Sequence, residues 1–310
     1  MDGSIIPAKF RDLHVTAEGK PRASVDLGGL ATLWFNTGTL CNITCVNCYI
    51  ESSPRNDALV YLTAGEVRRF LDEAGREAPE LREVGFTGGE PFLNPDFPAM
   101  LEDALGRGLR VLVLTNAMRP MMLKREALRR LKRAHGGRLA LRVSLDHHTG
   151  AGHDALRGQG SFARAMEGLR WLADNGFHVA VAGRTASGEG QADLRRGFAD
   201  LFAAHGLGID ADDPKQLVLF PEMDGSPETP EIAESCWAIL GKRPDAMMCA
   251  SSRMVVRRKG EAEARVAACT LLPYDPRFDC GATLAEARRR VWMSHPHCSR
   301  FCALGGACCA

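Results

Sequence analysis

"TGTLCNITCVNCYIES" (residues 37–52) places cysteines at 41, 45 and 48, with three and two residues between them. Three thiols on so short a loop is an odd number for a closed site. Thiolates are soft ligands that suit zinc, copper(I) and iron–sulfur clusters. A structural zinc takes four ligands. A cubane cluster also takes four, one per iron. Cys41, Cys45 and Cys48 would hold three irons and leave the fourth open to a substrate or cofactor. A zinc completed by a distant cysteine or histidine uses the same thiols, and the spacing leaves that alternative open.

The loop leaves "ATLWFN" (31–36), an apolar strand candidate, and strand-like and helix-like patterns alternate from there to 220. Thr63 and Glu66 form a capping-box pattern, followed by one apolar helical face at Val67, Phe70, Leu71 and Ala74. "EVGFTGG" (83–89) reads as a strand ending in glycines, and Asn94-Pro95 as a helix start. "VLVLT" (111–115), "LALRVSL" (139–145), "FHVAVAG" (177–183) and "LVLF" (217–220) complete six strands, with helical faces between them. Such alternation implies parallel strands with right-handed crossovers. Periodicity alone fits an open doubly wound sheet or a partial barrel. In both, ligands sit at the C-terminal strand ends.

Acidic, proline-rich "FPEMDGSPETPE" (220–231) breaks the pattern. The expected division is a lead segment (1–29), a β/α body (30–222) and a cysteine-rich region (223–310). Of the eleven cysteines, none lies between 49 and 235 and eight lie from 236 onward. A small region so rich in thiols commonly depends on metal. A net charge of +1 and the lack of long charge runs argue against nucleic acid or a membrane surface as partner. No 18-residue apolar run suggests a membrane span. The first twenty residues lack the pattern of a secretory signal. The expected compartment is cytoplasmic, where clustered cysteines point to metal rather than disulfides.

The C-x3-C-x2-C spacing of Cys41, Cys45 and Cys48 resembles the signature of the radical S-adenosylmethionine (radical SAM) superfamily. "TGGEP" (87–91), "LTNAM" (114–118) and "VSLDHHTGAGHDALRGQGSF" (143–162) are similar, in order, to that family's later strand-end motifs. Ala117 replaces the usual glycine. Asn47 stands where an aromatic residue often precedes the third cysteine, with Tyr49 just after it.

This resemblance implies a partial (β/α)6 barrel with a [4Fe-4S] cluster at its mouth. The amino and carboxylate groups of S-adenosylmethionine would chelate the open iron. Reductive cleavage would yield a 5'-deoxyadenosyl radical that abstracts hydrogen from substrate. The electron would come from a donor such as flavodoxin or ferredoxin. Gly88 and Gly89 would let the backbone approach the methionyl end, with Glu90 near its ammonium. Asn116, at the third strand end, is a further cofactor-binding candidate. Ser144 and Asp146, two apart on one strand face, would lie near the ribose. Arg184 is a candidate for the carboxylate. His147 and His148 read as loop histidines rather than proton-transfer groups.

Cys249 and Cys269 flank an expected β-hairpin. With Cys298 and Cys302 they resemble the twitch or SPASM regions of some radical SAM enzymes, which implies an auxiliary [4Fe-4S] cluster. Cys308 is the reserve ligand, and a zinc knuckle with His295 or His297 is the alternative. Cys236 reads as a buried helical thiol, Cys280 stands alone, and Cys308 and Cys309 are adjacent. The thirty residues before the first strand are short for a peptide-recognition domain, which favours a small-molecule substrate over a peptide. A non-catalytic iron–sulfur carrier or scaffold is the rival from another class.

Overall fold

A computed structural model describes residues 9–185, 188–222 and 228–305. The strands are β1 (Ser24–Val25), β2 (Thr32–Asn36), β3 (Glu83–Thr87), β4 (Arg110–Thr115), β5 (Leu139–Ser144), β6 (His178–Arg184), β7 (Leu217–Phe220), β8 (Ser252–Val256), β9 (Arg265–Ala267), β10 (Asp279–Gly281) and β11 (Val291–Trp292). The helices are α1 (Ala64–Glu77), α2 (Phe97–Gly106), α3 (Arg119–Met122), α4 (Arg125–His135), α5 (Gly150–Arg157), α6 (Ser161–Asp174), α7 (Gln191–Ala204) and α8 (Cys236–Leu240).

Strands β2 to β7 lie side by side in chain order, each parallel to the next. That order decides between the two architectures left open above. A doubly wound sheet reverses direction at a switch point and so puts helices on both faces. Here every right-handed crossover steps the same way, which puts the helices on one face. The other face is the concave interior of a partial (β/α)6 barrel. All five residues of β2 are buried, as expected for an inner strand.

The local signals act as read. Thr63 and Glu66 form a complete capping box on α1, whose buried face is Val67, Phe70, Leu71 and Ala74. Asn94 is a correction. Helix α2 starts at Phe97 with Asp96 at its N-cap. The buried Asn94 amide donates to the carbonyls of Thr37 and Leu62 instead, at 3.0 and 2.9 Å. Its oxygen accepts from Asp96 N. Asn94 therefore ties the start of the cysteine loop to the body of the barrel.

The sheet does not stop at residue 222. Strand β8 pairs in parallel with the free edge of β2, and β9 and β10 follow as an antiparallel meander. The expected hairpin between Cys249 and Cys269 is β8–β9. Strand β1 pairs with β11, and buried Arg22 meets Glu231 at 2.6 Å. The lead segment thus packs into the cysteine-rich region. Phe220, at the end of β7, stacks on Phe301 with ring centres 5.1 Å apart. This contact brings the C-terminal segment to the mouth of the barrel. Among the described residues no helix is long and apolar enough to cross a membrane.

Candidate iron–sulfur and cofactor site

A cavity opens at the C-terminal strand ends. Its lining includes Cys41, Cys45 and Cys48 with Gly88, Gly89, Asn116, Ser144, Asp146 and Arg184. Of the cofactor-binding candidates, Glu90 alone stays outside it.

The glycines have a local reason. Gly88 has φ +140°, and a Cβ there would lie 2.5 Å from the Gly38 carbonyl oxygen. A Cβ on Gly89 would lie 2.2 Å from that of Leu40. Both neighbours belong to the loop leading into Cys41, and Gly89 N donates to Gly38 O at 2.8 Å. The small residues let this loop lie flat on the strand end. Gly89→Ala is expected to push the loop away and lower iron content after reconstitution to below half of wild type. Iron and sulfide assay checks this; unchanged content would show that the loop can yield.

Glu90 is fully buried and faces the next strand. It accepts from Thr115 Oγ1 (2.9 Å), Asn116 N (2.9 Å) and Phe92 N (3.2 Å). Its oxygens brace the ends of β3 and β4. Burial pushes its carboxyl up to about 7, outweighing the hydrogen bonds that favour the charge. A folded-state pKa above the unfolded value gives stability that is full below about pH 4.5 and is lost as pH rises through about 7. Denaturation of wild type should show that loss, and Glu90→Gln should flatten it. An equal pH slope in both proteins would contradict this role.

Asn116, braced by Glu90, donates to Asn42 Oδ1 at 2.9 Å and approaches Cys41 Sγ at 3.8 Å. Hydrogen bonds to cluster sulfur are one means of tuning a cluster. Ala117 takes φ +57°, which accounts for the glycine that the resemblance leads one to expect there. The left-handed form costs a residue with a Cβ roughly 1–2 kcal/mol.

Asp146 is nearly inaccessible and is gripped from two sides. Arg157 donates through Nε (2.7 Å) and a terminal nitrogen (2.9 Å), and Arg184 through a terminal nitrogen (2.7 Å). Burial opposes the ionised form, but the two guanidiniums prevail and hold the carboxyl at about 2. Arg184 also donates to Val46 O, inside the cysteine loop, and its buried Nε has no partner among the described residues. That free donor fits a cofactor oxygen.

Arg157 was missed as a site residue, although it lies in the quoted His-Asp-x-x-Arg run. Each member of that run has a task. His153 Nδ1 accepts from the Asp146 backbone N–H. Asp154 accepts from Gly160 N, Phe162 N and Ser161 Oγ at the start of α6. Arg157 neutralises Asp146 and lines the cavity. The signal was available: a buried strand-end aspartate needs a counter-ion.

Burial raises the Cys41 thiol to about 12 and also raises Cys45, where Arg157 works against it. Such thiols ionise when a metal binds them. The donor atoms of His147, His148 and Glu189 fall within 4.8 Å of one another, and no three of the described cysteine sulfurs do. Zinc–sulfur bonds of ~2.3 Å would draw tetrahedral sulfurs to about 3.8 Å apart. His147 and His148 stack on each other, centres 4.2 Å apart, outside the cavity lining.

Cys249, Cys269, Cys298 and Cys302 line a second, small pocket. Cys298 and Cys302 sit on a π-helical turn (Cys298–Leu304), a form often found at functional sites. His297 also lines this cavity, so one part of the zinc-knuckle set is nearby. Cys236 and Cys280 are outside that lining, and Cys308 and Cys309 fall outside the described residues. The two cavities share Leu271, and Thr270, Leu271 and Phe301 line the first. Each of the latter pair of segments adjoins a cysteine of the second cavity, Cys269 or Cys302. Sequence reasoning gave no hint that these residues line the barrel mouth.

A sequence profile described as the Radical SAM superfamily matches residues 35–196. The antilisterial bacteriocin subtilosin biosynthesis protein AlbA of Bacillus subtilis (strain 168) is 32% identical over 143 residues, 46% of this chain and 30% of AlbA. The mycofactocin maturase MftC of Mycobacterium ulcerans (strain Agy99) is 32% identical over 166 residues, 53% of this chain and 42% of MftC. The chain therefore spans less than half the length of these relatives. Streptococcus suis SuiB bound to S-adenosylmethionine superposes with a TM-score of 0.60 at 12% identity, covering 82% of this chain and 63% of SuiB. At that identity the likeness concerns the fold alone. With the profile spanning more than half of its residues, the chain belongs to the radical SAM superfamily, a family of enzymes whose cofactors are a [4Fe-4S] cluster and S-adenosylmethionine.

Proposed function

We propose that this protein cleaves S-adenosylmethionine reductively and abstracts hydrogen from a substrate at the barrel mouth. The observation that carries the reading is the convergence of Cys41, Cys45 and Cys48 with the glycine, Asn116, Ser144 and Asp146–Arg184 strand ends on one cavity. Bound there, the cluster supplies a low-potential electron and the nucleotide supplies the radical that takes the hydrogen. The chain's own part is orientation and exclusion of water. Arg157 and Arg184 fix Asp146, which would face the ribose, the unused Arg184 Nε would donate to a cofactor oxygen, and the Thr270–Leu271 and Phe301 segments line the mouth.

The substrate we propose is a peptide. Support comes from SuiB, which is described with a precursor peptide, SuiA, bound. Cys249, Cys269, Cys298 and Cys302 are proposed to carry an auxiliary [4Fe-4S] cluster behind Leu271, close enough to serve the substrate cavity. The electron donor is proposed to be a flavodoxin or ferredoxin.

Anaerobic reconstitution with dithionite and S-adenosylmethionine tests the reaction. The expected products are methionine and 5'-deoxyadenosine, with faster turnover when the proper substrate is added. Candidate precursor peptides and small metabolites compared side by side separate the two substrate classes. Fully loaded protein that never makes 5'-deoxyadenosine would instead be an iron–sulfur carrier.

A further inference from the structure

Two cations in the interior of this protein meet carboxylates. Arg22 pairs with Glu231 and Arg157 with Asp146. Arg253, in β8, departs from that pattern. It is fully buried, yet its donors go to main-chain carbonyls: Ala287 (2.8 Å), Cys249 (2.6 Å), Ser252 (2.8 Å) and Arg289 (3.0 Å). Among the described residues no carboxylate pairs with it. The ionisable side chains around it are the thiols of Cys249, Cys269 and Cys280.

An unpaired buried charge costs several kcal/mol, and folded chains seldom keep one. Carbonyl dipoles offset part of that cost without neutralising the charge. A [4Fe-4S] cluster with four thiolates is anionic in both common oxidation states, and Arg253 bonds directly to the main chain of one proposed ligand. Nearby charge and hydrogen bonding set cluster potentials. We infer that Arg253 is the built-in counter-charge of the auxiliary cluster and raises its reduction potential. This inference rests on the proposed ligand set of Cys249, Cys269, Cys298 and Cys302. Arg253 acts through the cluster and is a positioning residue.

The test uses a Cys45→Ala background, in which the auxiliary cluster is the one expected to remain. Iron and sulfide are counted first. Absence of a cluster there, or zinc in its place, overturns the ligand reading and this inference together. With the cluster present, a redox titration followed by electron paramagnetic resonance reads Arg253 itself. Arg253→Gln is expected to lower the reduced-to-oxidised ratio at fixed potential at least tenfold, ~59 mV for a one-electron couple. Arg253→Lys, which keeps the charge, should recover at least half of that shift. Equal midpoints in all three proteins at full iron content would overturn the inference and leave Arg253 as a brace between β8 and residues 287–289. If Arg253→Gln fails to assemble a cluster, retention in Arg253→Lys supports the inference and loss in both overturns it. Melting temperature gives a second readout. Stripping the cluster from wild type strands the buried cation, so the holo-to-apo drop should be larger in wild type than in Arg253→Gln. An equal or smaller drop in wild type would contradict it.

Discussion

Cys45→Ala is expected to reduce 5'-deoxyadenosine formation by much more than the ~100-fold typical of losing a partner behind a metal ligand. The N-terminal cluster should be lost with it. The three cysteines stand on one loop with no fourth thiol in the cavity lining. A cluster already short of one protein ligand has no spare to replace another. The local environment sharpens the effect. Val46 N donates to Leu156 O at 2.8 Å, and Arg184 donates to Val46 O at 2.8 Å, so the backbone beside Cys45 is pinned to the barrel. Neighbouring residues therefore cannot swing a substitute donor into place. Cys236→Ala is the control, because that thiol lines neither cavity. It should keep wild-type iron. Activity retained in Cys45→Ala would mean that the loop does not carry the reaction.

Asp146→Asn is expected to destabilise the fold by ~3–5 kcal/mol at neutral pH, the range for breaking a buried ion pair from one side. The substitution keeps shape and an acceptor but leaves Arg157 and Arg184 sharing a buried space without the anion between them. Its pH signature has a definite sign. The folded carboxyl lies at about 2, below its ordinary 3.8. Its contribution is therefore complete above the unfolded pKa and is lost as pH falls through about 2. The gap between wild type and Asp146→Asn in urea denaturation should be full at pH 6 and shrink in acid. A constant gap would indicate that packing, not charge, sets the cost. S-adenosylmethionine affinity should fall as well, since both arginines flank the cavity.

Much of the barrel was legible because its signals are local. Capping at Thr63, the apolar face of α1 and the short buried strands each follow from side-chain chemistry within one element. The gathering of Cys41, Gly88, Asn116 and Asp146 was legible because parallel strands bring their C-terminal ends to one rim. What escaped depends on contacts between distant segments. Asn94 looked like a helix cap, but the carbonyls of Thr37 and Leu62 claim its amide. Strand β8 was read as part of a separate hairpin, and no periodicity announces that its partner is β2. The hold of Arg253 on the carbonyls of Cys249, Ala287 and Arg289 has no sequence pattern at all.

The central claim is that the cluster on Cys41, Cys45 and Cys48 leaves one iron for S-adenosylmethionine. The direct measurement is the electron paramagnetic resonance signal of the dithionite-reduced protein in a Cys298→Ala/Cys302→Ala background, with and without that nucleotide. Direct ligation predicts a clear change in the g-values of the remaining cluster when S-adenosylmethionine is added. An identical signal under saturating nucleotide, or zinc without iron at this loop, would contradict the account.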